Sequence, residues 1–148
     1  MEPPRSTGQR LTDTRAKLEQ AGADVWVATC SRDGLPYLVP LSLAWLDERV
    51  VIAVEFRSRT ARNLETTRTA RLGVGSTRDV VLIDADVEGI ETAGDSELLA
   101  RYAAQADWTP PDDYALVMLR PSRVQAWREA NEIAGRTLMR DGTWVRPE

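Results

Sequence analysis

Residues 36–56 read PYLVPLSLAWLDERVVIAVEF, and this stretch decides the fold. From Tyr37 the chain alternates. Tyr37, Val39, Leu41, Leu43 and Trp45 share one face, and Leu38, Pro40, Ser42 and Ala44 share the other, which is the period of a strand. Pro36 and Pro40 have no backbone donor, so this strand is expected at a sheet edge or at a bulge. Leu46-Asp47-Glu48-Arg49 makes a turn, and Val50 to Phe56 is the next strand. Upstream, Val25 to Ser31 is rich in β-branched and aromatic residues. Asp33-Gly34 is the turn that joins it to the strand at Tyr37.

The same reading extends in both directions. Thr12 or Thr14 is expected to cap a first helix running to about Gln20, with Leu11, Ala16 and Leu18 as a weak apolar face and Gly22 as its stop. A short helix is predicted over Ala61 to Thr67, with Thr60 as its N-cap. Strands follow at Ala70 to Gly75 and Val80 to Ile90. In the latter, Val81, Ile83, Ala85 and Val87 face inward and Leu82, Asp84, Asp86 and Glu88 outward. Asp95 is expected to cap a helix to about Ala106, buried along Leu98, Leu99, Tyr102, Ala103 and Ala106. Tyr114 to Leu119 and Arg123 to Trp127 read as two strands separated by Pro121. Arg136 to Arg140, Asp141-Gly142 and Thr143 to Val145 read as a last hairpin or extended arm. Two or three helices and about six core strands with short turns predict a mainly β, antiparallel small barrel closed on itself, with the helices outside. The whole chain, 1–148, is read as one domain, with an N-terminal helical segment at 1–24 and a C-terminal arm at 129–148.

Composition narrows the chemistry. The chain has 148 residues, enough for one core without disulfides or metals. Its net charge of −4, from 19 basic and 23 acidic residues, argues against a general nucleic-acid binder. No apolar run approaches the ~20 residues that span a bilayer. The start, Met1-Glu2-Pro3-Pro4-Arg5, lacks the apolar core of a signal peptide, and the single Cys30 fits a reducing cytoplasm. The chain has no histidine. That removes Ser-His-Asp and Cys-His catalysis, His-ligated haem and nearly all common catalytic zinc sites, so no metal site is expected. No general acid or base stands out. Any chemistry is most economically supplied by an organic cofactor.

The motif suited to hold one is Arg57-Ser58-Arg59-Thr60-Ala61-Arg62-Asn63-Leu64, where a strand ends and a helix begins. A helix start offers free amides and a positive dipole end to an anion. Ser58 and Thr60 add hydroxyl donors. The forks of Arg57, Arg59 and Arg62 match phosphate geometry. The competing reading makes Thr60 only a cap and pairs the arginines with Glu55 and Glu65 or with water.

Taken together, Val27-Ala28-Thr29-Cys30, Asp33-Gly34-Leu35-Pro36, Pro40-Leu41, Val50 to Glu55, Thr60-Ala61-Arg62-Asn63-Leu64 and Ala70-Arg71-Leu72-Gly73-Val74 resemble the pyridoxamine-5'-phosphate-oxidase-like split β-barrels. The resemblance covers about Val25 to Ile90. It implies an antiparallel split barrel, a homodimer, and a flavin-type cofactor in grooves between subunits, its phosphate at the strand-to-helix corner. Carried onto this chain, it assigns Arg57, Ser58, Arg59, Thr60, Arg62 and Asn63 to the phosphate region. Val54 and Glu55 would flank the ring, and Pro40 and Ser42 would approach it from the neighbouring strand. Relatives commonly carry a Lys near Thr60. This chain has none there, and Arg59 is the available substitute. Trp127-Arg128 and Gly135 to Trp144 resemble the C-terminal arm that closes over the site in pyridoxamine-phosphate oxidases, with Trp127 as a stacking surface. The competing reading leaves Trp127 and Trp144 in the core or a dimer interface.

Two cofactors follow from the resemblance: FMN, and the deazaflavin coenzyme F-420 of a branch found chiefly in high-GC actinobacteria. Lys17 is the only lysine beside 18 arginines, a bias that fits such a host and favours the deazaflavin. Its longer anionic tail would be served by Arg57, Arg68 and Arg71. The expected activity is a flavin- or deazaflavin-dependent hydride transfer to a small organic substrate; the rival is a non-catalytic dimeric carrier of a cofactor or other small ligand. Asp84, Asp86 and Glu88 read as a solvated face, Cys30 as a small core residue and Arg78-Asp79 as a turn ion pair.

Overall fold

The computed structural model describes residues 1–94 and 96–147. Helix α1 (Thr7–Glu19) precedes β1 (Asp24–Cys30), β2 (Pro36–Ser42), β3 (Ala44–Leu46) and β4 (Arg49–Glu55). Then come α2 (Arg59–Thr67), β5 (Thr69–Ser76), β6 (Asp79–Thr92), α3 (Glu97–Ala106) and β7 (Tyr114–Trp127). A single 3-10 turn, Ala130–Glu132, leads to the hairpin β8 (Thr137–Arg140) and β9 (Thr143–Trp144). All strand pairs are antiparallel. Among the described residues no helix is long and apolar enough to cross a membrane.

The main sheet runs β2-β1-β5-β6-β7-β4-β3. Its two end strands are consecutive in the chain: β2 and β3 form one extended segment bent at Leu43, whose amide bonds the Ala23 carbonyl at 2.9 Å. The lower half pairs with β1 and the upper half with β4. The sheet therefore rolls up without closing its hydrogen-bond ladder, and a seam remains between β2 and β4. This corrects the expectation of a barrel closed on itself; the fold is an antiparallel split barrel. Pro36 and Pro40 lie on the end strand, where one edge needs no donors.

Alternation sets the two cores. Val25, Val27, Ile52, Val54, Leu72, Ile83, Val117 and Leu119 fill the barrel, joined by Leu18 from α1 and Leu64 from α2. On the outer face of β4 and β7, Val51, Ala53 and Leu116 pack under Tyr102 and Ala106 of α3. Full burial of each large aliphatic side chain contributes about 1.5–3 kcal/mol. Asp84 and Glu88 do face outward, where Arg71 and Arg49 pair with them at 2.6 and 3.0 Å.

Several expectations are corrected. Ser6, not Thr12 or Thr14, caps α1, its hydroxyl accepting from the Gln9 amide; Thr14 lies buried inside the helix. Ser96 caps α3; the expected cap, Asp95, lies outside the described residues. Pro121 does not divide two strands. It stands in a continuous β7, opposite Ala85, and Ser122 is an extra residue that bulges before Arg123 rejoins Asp84. The bulge satisfies its own polar groups: Ser122 Oγ donates to the Asp84 carbonyl, and its carbonyl accepts from the Gly142 amide. Arg78 and Asp79 do not pair with each other. Arg78 reaches Glu129, and Asp79 takes Lys17 and Arg128.

The N-terminal segment is tied to the C-terminal arm. The Arg5 guanidinium donates two bonds to Glu132, at 2.8 and 3.0 Å, and one to Asp13 at 3.0 Å. The amides of Arg5 and Arg128 also donate to Glu132. Glu48, in the β3–β4 turn, collects Arg15, Trp45 Nε1 and Trp144 Nε1, which fixes the last hairpin against α1. Trp144 therefore serves packing within its own barrel.

Candidate functional site

The end of β4 and the start of α2 form a tight corner. Phe56 bonds the Asp113 carbonyl and Ser58 bonds the Glu55 carbonyl, so the chain turns at once into the helix. Ser58 is the N-cap: it is extended (φ −64°, ψ 161° in α1's counterpart Ser6, −66° and 155° here), and its hydroxyl accepts from the Ala61 amide at 3.1 Å. Thr60, expected as the cap, is instead 3% exposed and packed inward. With Ser58 Oγ occupied by Ala61, the amides of Arg59 and Thr60 are the ones the helix itself leaves without an acceptor. Ser58→Ala should lower stability by about 1 kcal/mol, while Thr60→Ser, which keeps the hydroxyl, should not disturb the cap; denaturant melts measure both.

The assigned residues divide into two sets. Asn63 and Thr60 are structural from this side: both are buried, and Asn63 Nδ2 donates to Thr29 Oγ1 at 3.1 Å, pinning α2 to β1. Arg57, Arg59 and Arg62 are exposed. Among the described residues, none of the three forms a salt bridge, so pairing with Glu55 or Glu65 does not occur. Two are held in place by neutral partners: Arg59 lies over the Tyr37 ring at 5.6 Å, and Arg62 donates to the Arg57 carbonyl at 3.1 Å.

Beside this corner runs the seam. One hollow, of about 420 Å³, is lined by Asp24, Pro40, Leu41, Ser42, Ala53, Trp108 and Tyr114. A second, of about 490 Å³, is lined by Glu55, Phe56, Arg57, Asp112 and Asp113. They lie side by side, because Ala53 and Glu55 share the outer face of β4 and Tyr114 is the register partner of Glu55. Pro40 and Ser42 thereby line the first hollow and Glu55 and Arg57 its neighbour. Ser42 is fixed there by Tyr102, whose hydroxyl donates to its carbonyl at 3.1 Å. Burial pushes the Tyr102 hydroxyl up to about 12, so it stays a donor through the neutral range.

Other assigned residues lie elsewhere. Val54 points into the barrel core, so only its backbone reaches the seam. Trp127 ends β7 opposite Val80, whereas the start of that strand, Tyr114, lies opposite Glu55. The length of β7 separates Trp127 from the corner within one chain. Trp127 carries the Arg136 guanidinium over its ring at 5.6 Å. Arg68 and Arg71 do not join Arg57 in a groove. Arg68 caps the far end of α2 in a left-handed conformation, and Arg71 is paired with Asp84. Sequence reasoning missed Trp108 and Tyr114. An exposed tryptophan before Pro110 and Pro111 was the available signal, since loops carry binding residues more often than cores do.

The bent β2–β3 segment, the open seam and a helix planted at the end of β4 define a split barrel. The sequence profile described as pyridoxamine 5'-phosphate oxidase matches residues 13–128, and the chain belongs to that family. No curated protein matches the chain. Among solved structures, it is similar to an F420 reductase, with 18% identity over 74% of this chain and 94% of that one and a TM-score of 0.63. It is also similar to a pyridoxamine 5'-phosphate oxidase-related, FMN-binding protein from Nostoc punctiforme, with 15% identity over 80% of each chain and a TM-score of 0.55. A third is HutZ, a haem storage protein from Vibrio cholerae, with 19% identity over 81% of this chain and 94% of that one and a TM-score of 0.63. At these identities the likeness is one of fold.

Proposed function

We propose that this protein is a flavin- or deazaflavin-dependent oxidoreductase that works as a homodimer. The observation that carries the reading is the set of three exposed guanidiniums around the start of α2, beside the seam, none of them in a salt bridge among the described residues. Unpaired arginines beside free helix amides fit a phosphate. Arg57, Arg59 and Arg62 would hold it, with Ser58 setting the helix start and Asn63 fixing α2 to the barrel. Pro40, Ser42 and Glu55 would bound the ring along the seam. The bound cofactor would supply hydride chemistry, and the chain binding, orientation and water exclusion.

Split-barrel relatives that bind F420 or FMN support both candidate cofactors. Arg68 and Arg71 are turned to other partners and do not serve a deazaflavin tail, so the arginine-rich composition is what favours the deazaflavin over FMN. The haem of HutZ has no histidine ligand to take here, because the chain has no histidine. The non-catalytic carrier is the second reading, favoured by the absence of a histidine or thiol from the residues lining the two hollows. The deciding experiment follows reoxidation of reduced FMN and reduced F-420 by a panel of acceptors. The proposed enzyme speeds it well above the free cofactor for at least one acceptor; a carrier leaves it equal or slower.

The dimer has a candidate face. On the outside of the sheet, Trp26 is 52% and Leu38 59% exposed, and Pro40, register partner of Trp26, lies between them. An apolar patch of this kind on a small barrel calls for a partner. Sedimentation should show a dimer at micromolar concentration, and Trp26→Glu with Leu38→Glu should give a folded monomer. A wild-type monomer would remove the homodimer from the account.

A further inference from the structure

The seam changes character along its length. Its α2 end is cationic. Its other end is an aromatic corner, where Trp108 and Tyr114 meet edge to face, with ring centroids 5.5 Å apart at 78°. Both rings line the hollow of about 420 Å³, opposite Pro40. Trp108 is 40% exposed, which leaves an aromatic surface open to a ligand there. The charged group on that hollow is Asp24. Asp112 and Asp113 stand in the adjoining one. Among the described residues none of these carboxylates is in a salt bridge, in a chain whose other surface acids often are.

We propose that the Trp108–Tyr114 hollow is the substrate subsite of the seam and takes an organic cation: a protonated or quaternary amine carried on a flat apolar group. Aromatic faces attract such a cation through their quadrupoles, and most strongly when water is excluded. The apolar part packs on Pro40, Leu41 and Ala53, and Asp24 supplies the opposite charge. An anionic substrate of the same shape is rejected, since Asp24 lines the hollow and no cationic side chain does. The assignment names a substrate class for the groove and rests on the reading of its other end as the cofactor site.

The test uses two ligands of one ring system and opposite charge, tryptamine and indole-3-acetate, titrated into the full-length protein by calorimetry at neutral pH. FMN and F-420 are titrated in parallel. Tryptamine is expected to bind at least tenfold more tightly than indole-3-acetate. Asp24→Asn should shrink that preference at least fivefold, and Trp108→Ala should abolish tryptamine binding, with thermal melts confirming that both variants are folded. Equal affinity, preference for the acid, or a preference that survives both substitutions overturns the subsite. If a cofactor binds and tryptamine shows no preference, only the substrate class fails. If tryptamine behaves as expected and neither cofactor binds, the cofactor reading fails instead.

Discussion

Arg59→Ala combined with Arg62→Ala should weaken cofactor binding at least about a hundredfold. Each charge-assisted hydrogen bond to an anion is worth about 1.5–3 kcal/mol, and every 1.4 kcal/mol is a factor of ten. The loss should come with little change in stability, because both side chains are exposed and neither is in a salt bridge. Arg59 is also held over Tyr37, so Tyr37→Leu should give a smaller loss of the same kind. The wild-type affinity should fall with added salt and that of the double variant much less, since the charges removed are the screened ones. Asp84→Ala with Asp86→Ala is the control, on the outer sheet face beyond the far end of α2 from its arginine corner, and should leave affinity unchanged. Fluorescence titrations of the four proteins at two salt concentrations measure all of this. If the acid-face variant loses cofactor and the arginine variant keeps it, the corner is not the site.

The second large effect is expected at Glu132. Its carboxylate is 2% exposed and receives the Arg5 guanidinium and two backbone amides. Those bonds, led by the Arg5 side chain, hold it down at about 2, against an ordinary value of 4.5. A depressed acid stabilises the fold above its unfolded value, and the stabilisation is lost as pH falls through the folded value. Stability should therefore decline from about pH 4.5 toward pH 2, and Glu132→Gln should flatten that part of the profile. Breaking a buried pair by removing one partner costs about 3–5 kcal/mol. Glu132→Ala should fall near the lower end, because Asp13 and Asp79 still face Arg5, at 3.0 and 3.9 Å. Urea melts across this pH range give both results. A Glu132→Ala protein as stable as wild type would show that the N-terminal segment is not fastened in this way.

What was legible in the sequence was local. The strand from Pro36 to Ser42, the two prolines of an edge strand and the Asp33-Gly34 turn follow from chain chemistry, and the structure keeps them; the alternation read on to Trp45 breaks at the Leu43 bend, where Leu43, Ala44 and Trp45 are buried in succession. The left-handed pair Asp47 and Glu48 likewise sits where the turn was expected. What was illegible depended on distant parts of the chain. Ser58 and Thr60 are equally good caps by residue type; the choice falls to Ser58 because Thr60 is buried. Pro121 looked like a strand break because nothing local announces that Ser122 bulges and is bonded by Asp84 and Gly142. Trp108 before two prolines marked a loop residue to watch, but its meeting with Tyr114, Pro40 and Asp24 could not be read, because it forms only once α3 has packed over β4. Of the assigned site, Pro40 and Ser42 line one hollow and Glu55 and Arg57 the adjoining one, while Arg59 and Arg62 stand exposed at the start of α2. Thr60 and Asn63 turn inward, Val54 enters the core, and Trp127 lies at the other end of β7.

The claim on which the rest depends is that this barrel holds a flavin-type cofactor at the α2 corner. The most direct measurement is equilibrium titration of the purified, cofactor-free protein with FMN and with F-420 at low salt, followed by absorbance and fluorescence. Saturable binding of at least one of them is expected, with an affinity that the Arg59→Ala, Arg62→Ala protein loses. Failure of both to bind, or binding that the double variant retains in full, would contradict it.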